Sequence, residues 1–359
     1  MPQANGLPKY RQILDDLRRE IQIGRHKPGD RLPSEADLGT KYQVSRLTIQ
    51  RVLKELQIEE MIERRAGSGT YVRKRVEVVG HLFGLLIPGL GDTEVFEPMC
   101  QGMGRAGRVG GHALLWGDTA YGSAGREHQA RQLCADYIDR KVSGVFFAPI
   151  EFIPNKDEVN LSISEALCSA GIPIVLLDRC IKNYPERSRF DLVGVDNRRI
   201  GCRITNYLLS QGAIRPLFFD RPHSAPTVEA RARGFRDVCP TGAVVHAEPS
   251  DRALVRRIME EHRPDGIVCA NDETAAKLMQ SLEEVGYRVP DAVKITGIDD
   301  VRYASLLTVP LTTMRQPCVE MGEMAIHLML SRIAQPDLPA RDLLLDCKMV
   351  VRQSCGEKR

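Results

Sequence analysis

The chain has 359 residues, 43% of them hydrophobic and 27% charged, with a net charge of +3. That is ordinary for a soluble globular protein of two or three domains, and no run of apolar residues is long enough for a membrane helix. Before position 76 there are 16 basic against 10 acidic residues, a net of +6, which leaves −3 for the remainder: a basic module ahead of a mildly acidic one. The opening MPQANGLPKYRQ has no apolar core of a signal peptide, so a cytoplasmic protein with no membrane partner is expected. The 10 cysteines form no C-x-x-C pair, and Cys134, Cys168 and Cys269 lie in apolar runs, as reduced core thiols do.

In chain order, Tyr10, Ile13, Leu14, Leu17 and Ile21 form one helical stripe that leaves Arg11, Arg18 and Arg19 off it, and the helix should end before Gly24. Ser34 is an N-cap with Asp37 three residues on, opening a short helix that ends near Tyr42. Gln43-Val44 turns the chain, and Ser45 caps a second helix with Ile49, Val52, Leu53 and Leu56 on one face. Two short helices across a tight turn make a helix-turn-helix, whose second member can lie in a major groove. Met61–Arg64 and Thr70–Val72 read as strands joined by the Gly67-Ser68-Gly69 turn, which adds a wing.

On this reading Arg46 is placed for a bidentate contact to guanine, Gln50 for adenine or a bridging water, and Thr48 for a phosphate or a thymine methyl. Arg51 adds a second basic group on the same helix. Arg31 and Lys41 flank the capped helix starts at Ser34 and Ser45, where backbone N–H groups favour phosphate. Arg64, Arg65, Gly67 and Gly69 build a basic, glycine-tipped wing suited to the minor groove. The alternatives are solvated surface charges and a plain surface hairpin. Gly39, inside a helix, costs about 1 kcal/mol relative to alanine and raises the question of close helix packing.

Together the leading helix from Tyr10, Gly29, Leu32-Pro33-Ser34-Glu35, Val44-Ser45-Arg46, Thr48 and the Gly67-to-Val72 wing resemble the DNA-binding head of the GntR family of bacterial regulators. The resemblance covers about a fifth of the chain and implies sequence-specific binding to double-stranded DNA. The chain departs from the family at Gln50, where arginine is usual, which points to a different preferred operator.

From His81 the pattern changes. Apolar runs at 82–88, 112–117, 142–149, 172–178, 190–196, 215–220, 264–272 and 293–299 alternate with helical stretches such as Gln129–Arg140, Ile200–Ser210 and Thr274–Val285. This is the pattern of parallel sheets covered on both faces, and it suggests two doubly wound lobes, with a (β/α)₈ barrel still open on pattern alone. Ile87-Pro88, Phe96, Gly144-Val145, Pro173-Ile174-Val175, Asp178-Arg179, Asp196-Asn197, Gly201, Arg231-x-x-Gly234-Phe235, Ala270-Asn271-Asp272, Gly297-x-Asp299-Asp300 and Leu311-Thr312-Thr313 resemble, in order, the effector domain of LacI-family repressors. That family's domain is itself similar to periplasmic sugar-binding proteins. The family's own helix-turn-helix and hinge helix are absent here, so the chain looks like a composite regulator of arabinose-repressor-like architecture.

The expected fold is therefore α/β: a two-lobed periplasmic-binding-protein-like domain with parallel doubly wound sheets over 81–355, a linker over 74–80, and a small winged helix-turn-helix over 1–73. Ligands of open α/β sheets sit beyond the C-terminal strand ends, where Asp178, Arg179, Asp272 and Asp299 fall, and Arg231 is expected at a helix start in the other lobe. By position in the family Thr93 and Phe96 join them, and Phe96 or Trp116 suits the apolar face of a sugar. Each has an alternative as a cap or an inter-lobe ion pair. No Walker A, G-x-S-x-G or H-E-x-x-H sequence occurs, the eight histidines lack ligand spacing, and Gly102-x-Gly104 resembles dinucleotide glycines only loosely. The expectation is a non-enzymatic, cofactor-free repressor. It binds a pseudopalindromic operator as a homodimer and responds to a small effector, a sugar or sugar derivative. The alternative is a cytoplasmic sugar-binding or sugar-processing protein with an accessory DNA-binding head.

Overall fold

The computed structural model describes residues 9–22, 25–27, 29–59, 61–65, 68–72, 80–87, 90, 94–117, 125–183 and 185–356. Gly67, Thr93, the side chain of Arg65 and nearly all of the expected linker lie outside the described residues. The chain divides into two compact units, Met1–Val78 and Val79–Arg359.

In the first unit three helices, α1 (Lys9–Gln22), α2 (Glu35–Tyr42) and α3 (Arg46–Ile58), precede strands β1 (Ile62–Arg65) and β2 (Gly69–Val72). Ser34 and Asp37 close a full capping box: Ser34 Oγ accepts from the Asp37 N–H at 3.2 Å, and Asp37 Oδ2 accepts from the Ser34 N–H at 3.1 Å. Gln43, in the left-handed region at φ 50°, ends α2, and Ser45 Oγ accepts the Thr48 N–H to start α3. Leu17, Leu38, Ile49, Val52 and Leu56 are fully buried, and Ile62 and Val72, paired across the antiparallel wing strands, close the same core. Each such side chain stabilises the unit by roughly 1.5–3 kcal/mol. A Cβ at Gly39 would meet the Val44 carbonyl at 3.4 Å, an ordinary contact, so packing does not demand glycine there.

The second unit runs β3 (Leu82–Leu86), α4 (Phe96–Val109), β4 (Ala113–Trp116), α5 (Arg126–Asp139), β5 (Gly144–Phe147), α6 (Lys156–Ser169), β6 (Ile174–Leu177), β7 (Asp191–Val195), α7 (Asn197–Ser210), β8 (Pro216–Asp220), α8 (Pro226–Val238), β9 (Ala243–His246), α9 (Arg252–His262), β10 (Gly266–Cys269) and α10 (Asp272–Glu284). It ends with β11 (Lys294–Thr296), β12 (Thr313–Arg315), α11 (Cys318–Ala334), β13 (Asp342–Leu345) and β14 (Lys348–Val350). One lobe is built on a parallel sheet of order β13-β7-β6-β5-β3-β4, the other on a parallel sheet of order β11-β10-β8-β9. Two open sheets rule out the barrel.

All eight apolar runs became strands. Four further strands were not anticipated. β9 is half-exposed and β13 alternates exposed with half-buried positions at a sheet edge, while β12 and β14 have only three residues each. The last three matter most for the architecture. The chain passes between the lobes three times, after β7, after β12 and after β13, and β12 pairs antiparallel with β14 in that connecting region.

Glycine lets helices meet at backbone distance in each lobe. A Cβ at Gly102 would lie 2.0 Å from the Val319 carbonyl on α11, which makes Gly102 a packing residue rather than part of a dinucleotide loop. A Cβ at Gly201 would lie 2.2 Å from the carbonyl of Arg231 itself, so α7 fixes the height of that arginine on α8.

Candidate functional site

In the first unit the expected DNA-reading side chains converge on a carboxylate to which the sequence reading assigned no role. Glu35, the first residue of α2, accepts from Arg46 Nε at 2.9 Å and Gln50 Nε2 at 3.0 Å on α3, and from Arg64 Nη2 at 3.2 Å on β1. Hydrogen bonds from Arg46 and then Gln50 hold its pKa below the usual carboxylate range. Arg46 remains 78% exposed despite the pairing, so its guanidinium is aimed rather than hidden. Thr48 Oγ1 lies 2.9 Å from Ser45 Oγ at the same helix start. Leu47, between them, is 77% exposed; a large apolar group at the tip of the second helix suits a thymine methyl. Its only signal in the sequence was its place off the buried stripe.

Two expected contacts, Lys41 and Arg51, are engaged elsewhere, and a third, Arg31, stays exposed. Lys41 Nζ donates to both Glu20 oxygens, at 3.1 and 3.3 Å. Partial desolvation works against its charge, but Tyr42 and Glu20 outweigh that and raise its pKa. It sits in the last turn of α2, not at a helix start. Arg51 lies 4.0 Å above the Tyr10 ring, turned toward α1. Arg31 is exposed beside the wing, with Gly69 (φ 121°) against its guanidinium.

In the second unit the expected effector residues come together from both lobes. Asp178 and Arg179 follow β6. Arg179 Nη1 pairs with Glu151 at 2.6 Å, Nε lies 3.3 Å from Asp178 Oδ2, and the guanidinium is 5.7 Å from the Phe96 ring. Burial opposes the Arg179 charge, but Glu151 and Asp178 overcome it and raise the pKa. From the other lobe Arg231 donates from Nε to Asn197 Oδ1 at 2.8 Å and from Nη1 to the Ala270 carbonyl at 2.6 Å, with Nη2 3.7 Å from Asp299. Arg231 lies inside α8 rather than at its start, because Pro226 opens the helix a turn earlier than expected. Gln316, in the connection after β12, donates to Asp299 Oδ1 at 2.7 Å.

Asp272 is wholly buried and both oxygens are taken, Oδ1 by the Thr313 hydroxyl at 2.6 Å and Oδ2 by the Val301 N–H at 3.1 Å. It ties α10 to the segment entering the connecting strands. Burial, then the Asp299 charge, pushes Asp272 up to about 7; burial raises Asp299 to about 6 against the pull of Arg231. Trp116 ends the edge strand β4 and is 63% exposed, so Phe96 is the aromatic beside the cluster.

Asp178 Oδ1, Arg179 Nε and Gln316 Oε1 are buried without a hydrogen-bond partner in the protein. Asp178 and Asp299 also hold positive φ, 65° and 130°, in backbone that carboxylate residues seldom adopt. At one rim the Phe152 N–H donates to the His223 carbonyl at 2.9 Å and Arg221 stacks on Phe152 at 4.7 Å. At another the Arg302 N–H reaches Glu94 at 2.5 Å, so the lobes touch around the cluster. Glu151 follows a strand and was within reach of the strand-end rule. Gln316 had no such signal.

Residues 9–72 match the family model of bacterial regulatory proteins of the gntR family, and residues 205–355 match that of the periplasmic binding protein-like domain. The chain is a composite transcription regulator, a gntR-family head joined to a periplasmic-binding-protein-like domain. It is 28% identical to the arabinose metabolism transcriptional repressor of Geobacillus stearothermophilus, over 98% of each chain, and 25% identical to the ribose operon repressor of Halalkalibacterium halodurans, over 89% of this chain and 96% of that one. Among solved structures, a LacI family transcriptional regulator from Enterococcus faecalis with bound ribose is 25% identical, with a TM-score of 0.64 over 76% of this chain and 98% of that one.

Proposed function

We propose that this regulator represses transcription by binding a paired DNA site through its head, and that a sugar held at the Asp178–Arg231 cluster changes its affinity for that site. The observation that carries the reading is the convergence, from both lobes and the strands between them, of buried polar groups whose acceptors Asp178 Oδ1 and Gln316 Oε1 have no partner in the protein. Such groups cost about 1–3 kcal/mol each when left unsatisfied, and the hydroxyls of a sugar would satisfy them. Arg231 and Asp299 contribute from one lobe, Asp178, Arg179 and Phe96 from the other, so a ligand touching both favours one arrangement of the lobes. Asp272 acts mainly by holding α10 against the connecting strands. Repressors of arabinose and ribose metabolism among the relatives support this choice of ligand class.

In the head, Arg46 reads a base edge, Gln50 and Leu47 extend that reading, and Thr48, Ser34, Ser45 and Arg31 meet phosphates. Glu35 orients Arg46 before DNA arrives. A homodimer is proposed because one small head makes too few contacts, and seven of the eight large hydrophobic side chains exposed among the described residues belong to the larger unit. Among those residues no helix is long and apolar enough to cross a membrane, in keeping with work in the cytoplasm. The relatives' repressor names accord with a binding protein that turns nothing over.

The test is a thermal-shift screen of pentoses and hexoses on the full chain, repeated on Asp178→Asn and Arg231→Ala. A sugar that stabilises the wild type and fails on both variants supports the site; one that stabilises all three equally binds elsewhere. Sedimentation of the full chain at micromolar concentration checks the dimer, which a monomer would contradict.

A further inference from the structure

Two imidazoles meet where the chain enters the larger unit. His81, just before β3, and His112, just before β4, stack with ring centroids 5.2 Å apart and planes 23° from parallel. Phe83 lies against both rings, at 5.6 and 5.5 Å. The His81 N–H precedes the strand ladder and donates to His112 Nδ1 at 3.1 Å. The Ala113 N–H ties the same two segments again, on the His81 carbonyl at 2.9 Å. Glycines wrap the ring: a Cβ at Gly110 would lie 2.4 Å from His112 Nε2, and one at Gly80 2.2 Å from the Gly111 carbonyl. Gly80 and His81, the first described residues of this unit, are thus held by the single turn 110–112.

An imidazole accepts at Nδ1 only while it is neutral; once protonated, both its nitrogens donate. A proton on His112 Nδ1 would face the His81 N–H, and the bond that closes the start of β3 would be lost. The surroundings do nothing to hold that proton. Burial, and then the charge of His81, keep the His112 pKa below the ordinary histidine value. β4 packs against β3 and α4. From the β3 side His81 is the titratable group that faces the ring. The last turns of α4 carry Arg105 and Arg108, both exposed, and Arg108 Nε is folded back on the Gly104 carbonyl at 3.2 Å. Among the described residues neither ring is paired with a carboxylate.

We propose that His112 is an acid-released clamp on the root of the larger unit: neutral, it seals the start of β3, and protonated it lets Gly80 and His81 leave the sheet. The connection to the head then gains two residues, about 7 Å of reach. Because the folded pKa lies below the unfolded one, the clamp's stability is whole above about pH 6.5 and is lost as pH falls through the folded value. The inference does not depend on where the effector binds.

Hydrogen exchange of the full chain, corrected for intrinsic rates and resolved to the His81 amide, tests it beside a histidine NMR titration. Protection of that amide is expected to hold from pH 8 to about pH 6.5. Below that it should fall by up to about tenfold per pH unit, levelling off at the His112 midpoint. His112→Asn places Oδ1 where Nδ1 stood but does not titrate, so it is expected to keep the protection and flatten its pH response. His81→Phe removes the opposing charge and should raise the His112 midpoint. Protection unchanged between pH 8 and pH 5 overturns the inference, as does an acid response that persists in His112→Asn. An acid response that disappears in His81→Phe makes His81 the sensor and overturns it too. Should His112→Asn leave the amide unprotected at every pH, the wild-type titration decides. A His112 midpoint that coincides with the levelling-off supports the clamp, and one that does not overturns it.

Discussion

Glu35 in the head and the Asp272–Asp299 pair in the two-lobed unit are acidic groups near a binding surface, and their surroundings drive them in opposite directions. Glu35 stays near water and gains hydrogen bonds from Arg46 and Gln50, which lower its pKa. Asp272 and Asp299 are desolvated, which raises both, and the Asp299 charge raises Asp272 further. The head uses a carboxylate to aim exposed cations outward, toward a polyanion. In the larger unit Asp272 is spent on Thr313 and Val301, and on the proposed function Asp299 faces the ligand's hydroxyls. On the proposed function this inversion keeps the two partners apart, because a basic cleft would attract phosphates and an acidic head would repel DNA.

The largest expected effect comes from Arg231→Ala. It strips the buried guanidinium from Asn197, the Ala270 carbonyl and Asp299, and should destabilise the larger unit by roughly 3–5 kcal/mol while leaving the head's unfolding unchanged. Urea unfolding followed by circular dichroism checks this; a loss below 1 kcal/mol would mean the arginine is not integrated as described.

Next is the pH response, opposite in sign for Glu35 and for the Asp272–Asp299 pair, although Asp191 in the larger unit is lowered as Glu35 is. Asp272 and Asp299 have folded pKa values above the unfolded value, so their stabilising contribution is full below about pH 4 and is lost as pH rises through about 6 to 7. The larger unit should therefore weaken on the order of 2 kcal/mol from pH 5 to pH 8, and Asp272→Asn should flatten that slope. Glu35 and Asp37 are lowered, the latter by Ser34, so their contribution is present above about pH 4 and is lost as pH falls through the folded values. Calorimetry between pH 3 and pH 8 checks both: Glu35→Gln should flatten the head's slope in acid and leave the larger unit's slope between pH 5 and pH 8 unchanged. A common slope for both transitions would erase the contrast.

Smaller effects are expected on DNA. Arg46→Ala should weaken the best operator by about 1–3 kcal/mol and relax preference at one base position. Lys41→Ala should change the salt slope by less than about one, since its ammonium is shared with Glu20, and cost the head less than about 1 kcal/mol. Equal losses on operator and scrambled DNA for Arg46→Ala would make it a phosphate contact.

The head was legible in the sequence almost to the residue because its signals are local: two serine caps, one apolar stripe and a glycine turn. The side-chain pairing within it was less so, and Lys41 and Arg51 turned toward Glu20 and Tyr10 across sequence separations that no periodicity encodes. In the larger unit the buried parallel strands announced themselves as continuous apolar runs. The connecting strands β12 and β14 did not, being three residues long, and with them Gln316 stayed hidden. Asp272 shows the same limit from the other side. Its place after a strand pointed to the ligand, but only the fold reveals that Thr313 and Val301 already occupy its oxygens.

The central claim is that a sugar at the Asp178–Arg231 cluster sets operator affinity, and fluorescence anisotropy of a labelled operator tests it directly. Wild-type protein and Asp178→Asn are titrated onto the operator with and without the sugar found by thermal shift. The account predicts that both bind operator alike without sugar, that sugar shifts the wild-type affinity at least fivefold, about 1 kcal/mol of coupling, and that Asp178→Asn needs far more sugar for the same shift. A shift of equal size at equal sugar concentration in both proteins, or sugar binding that leaves operator affinity unmoved, would contradict it.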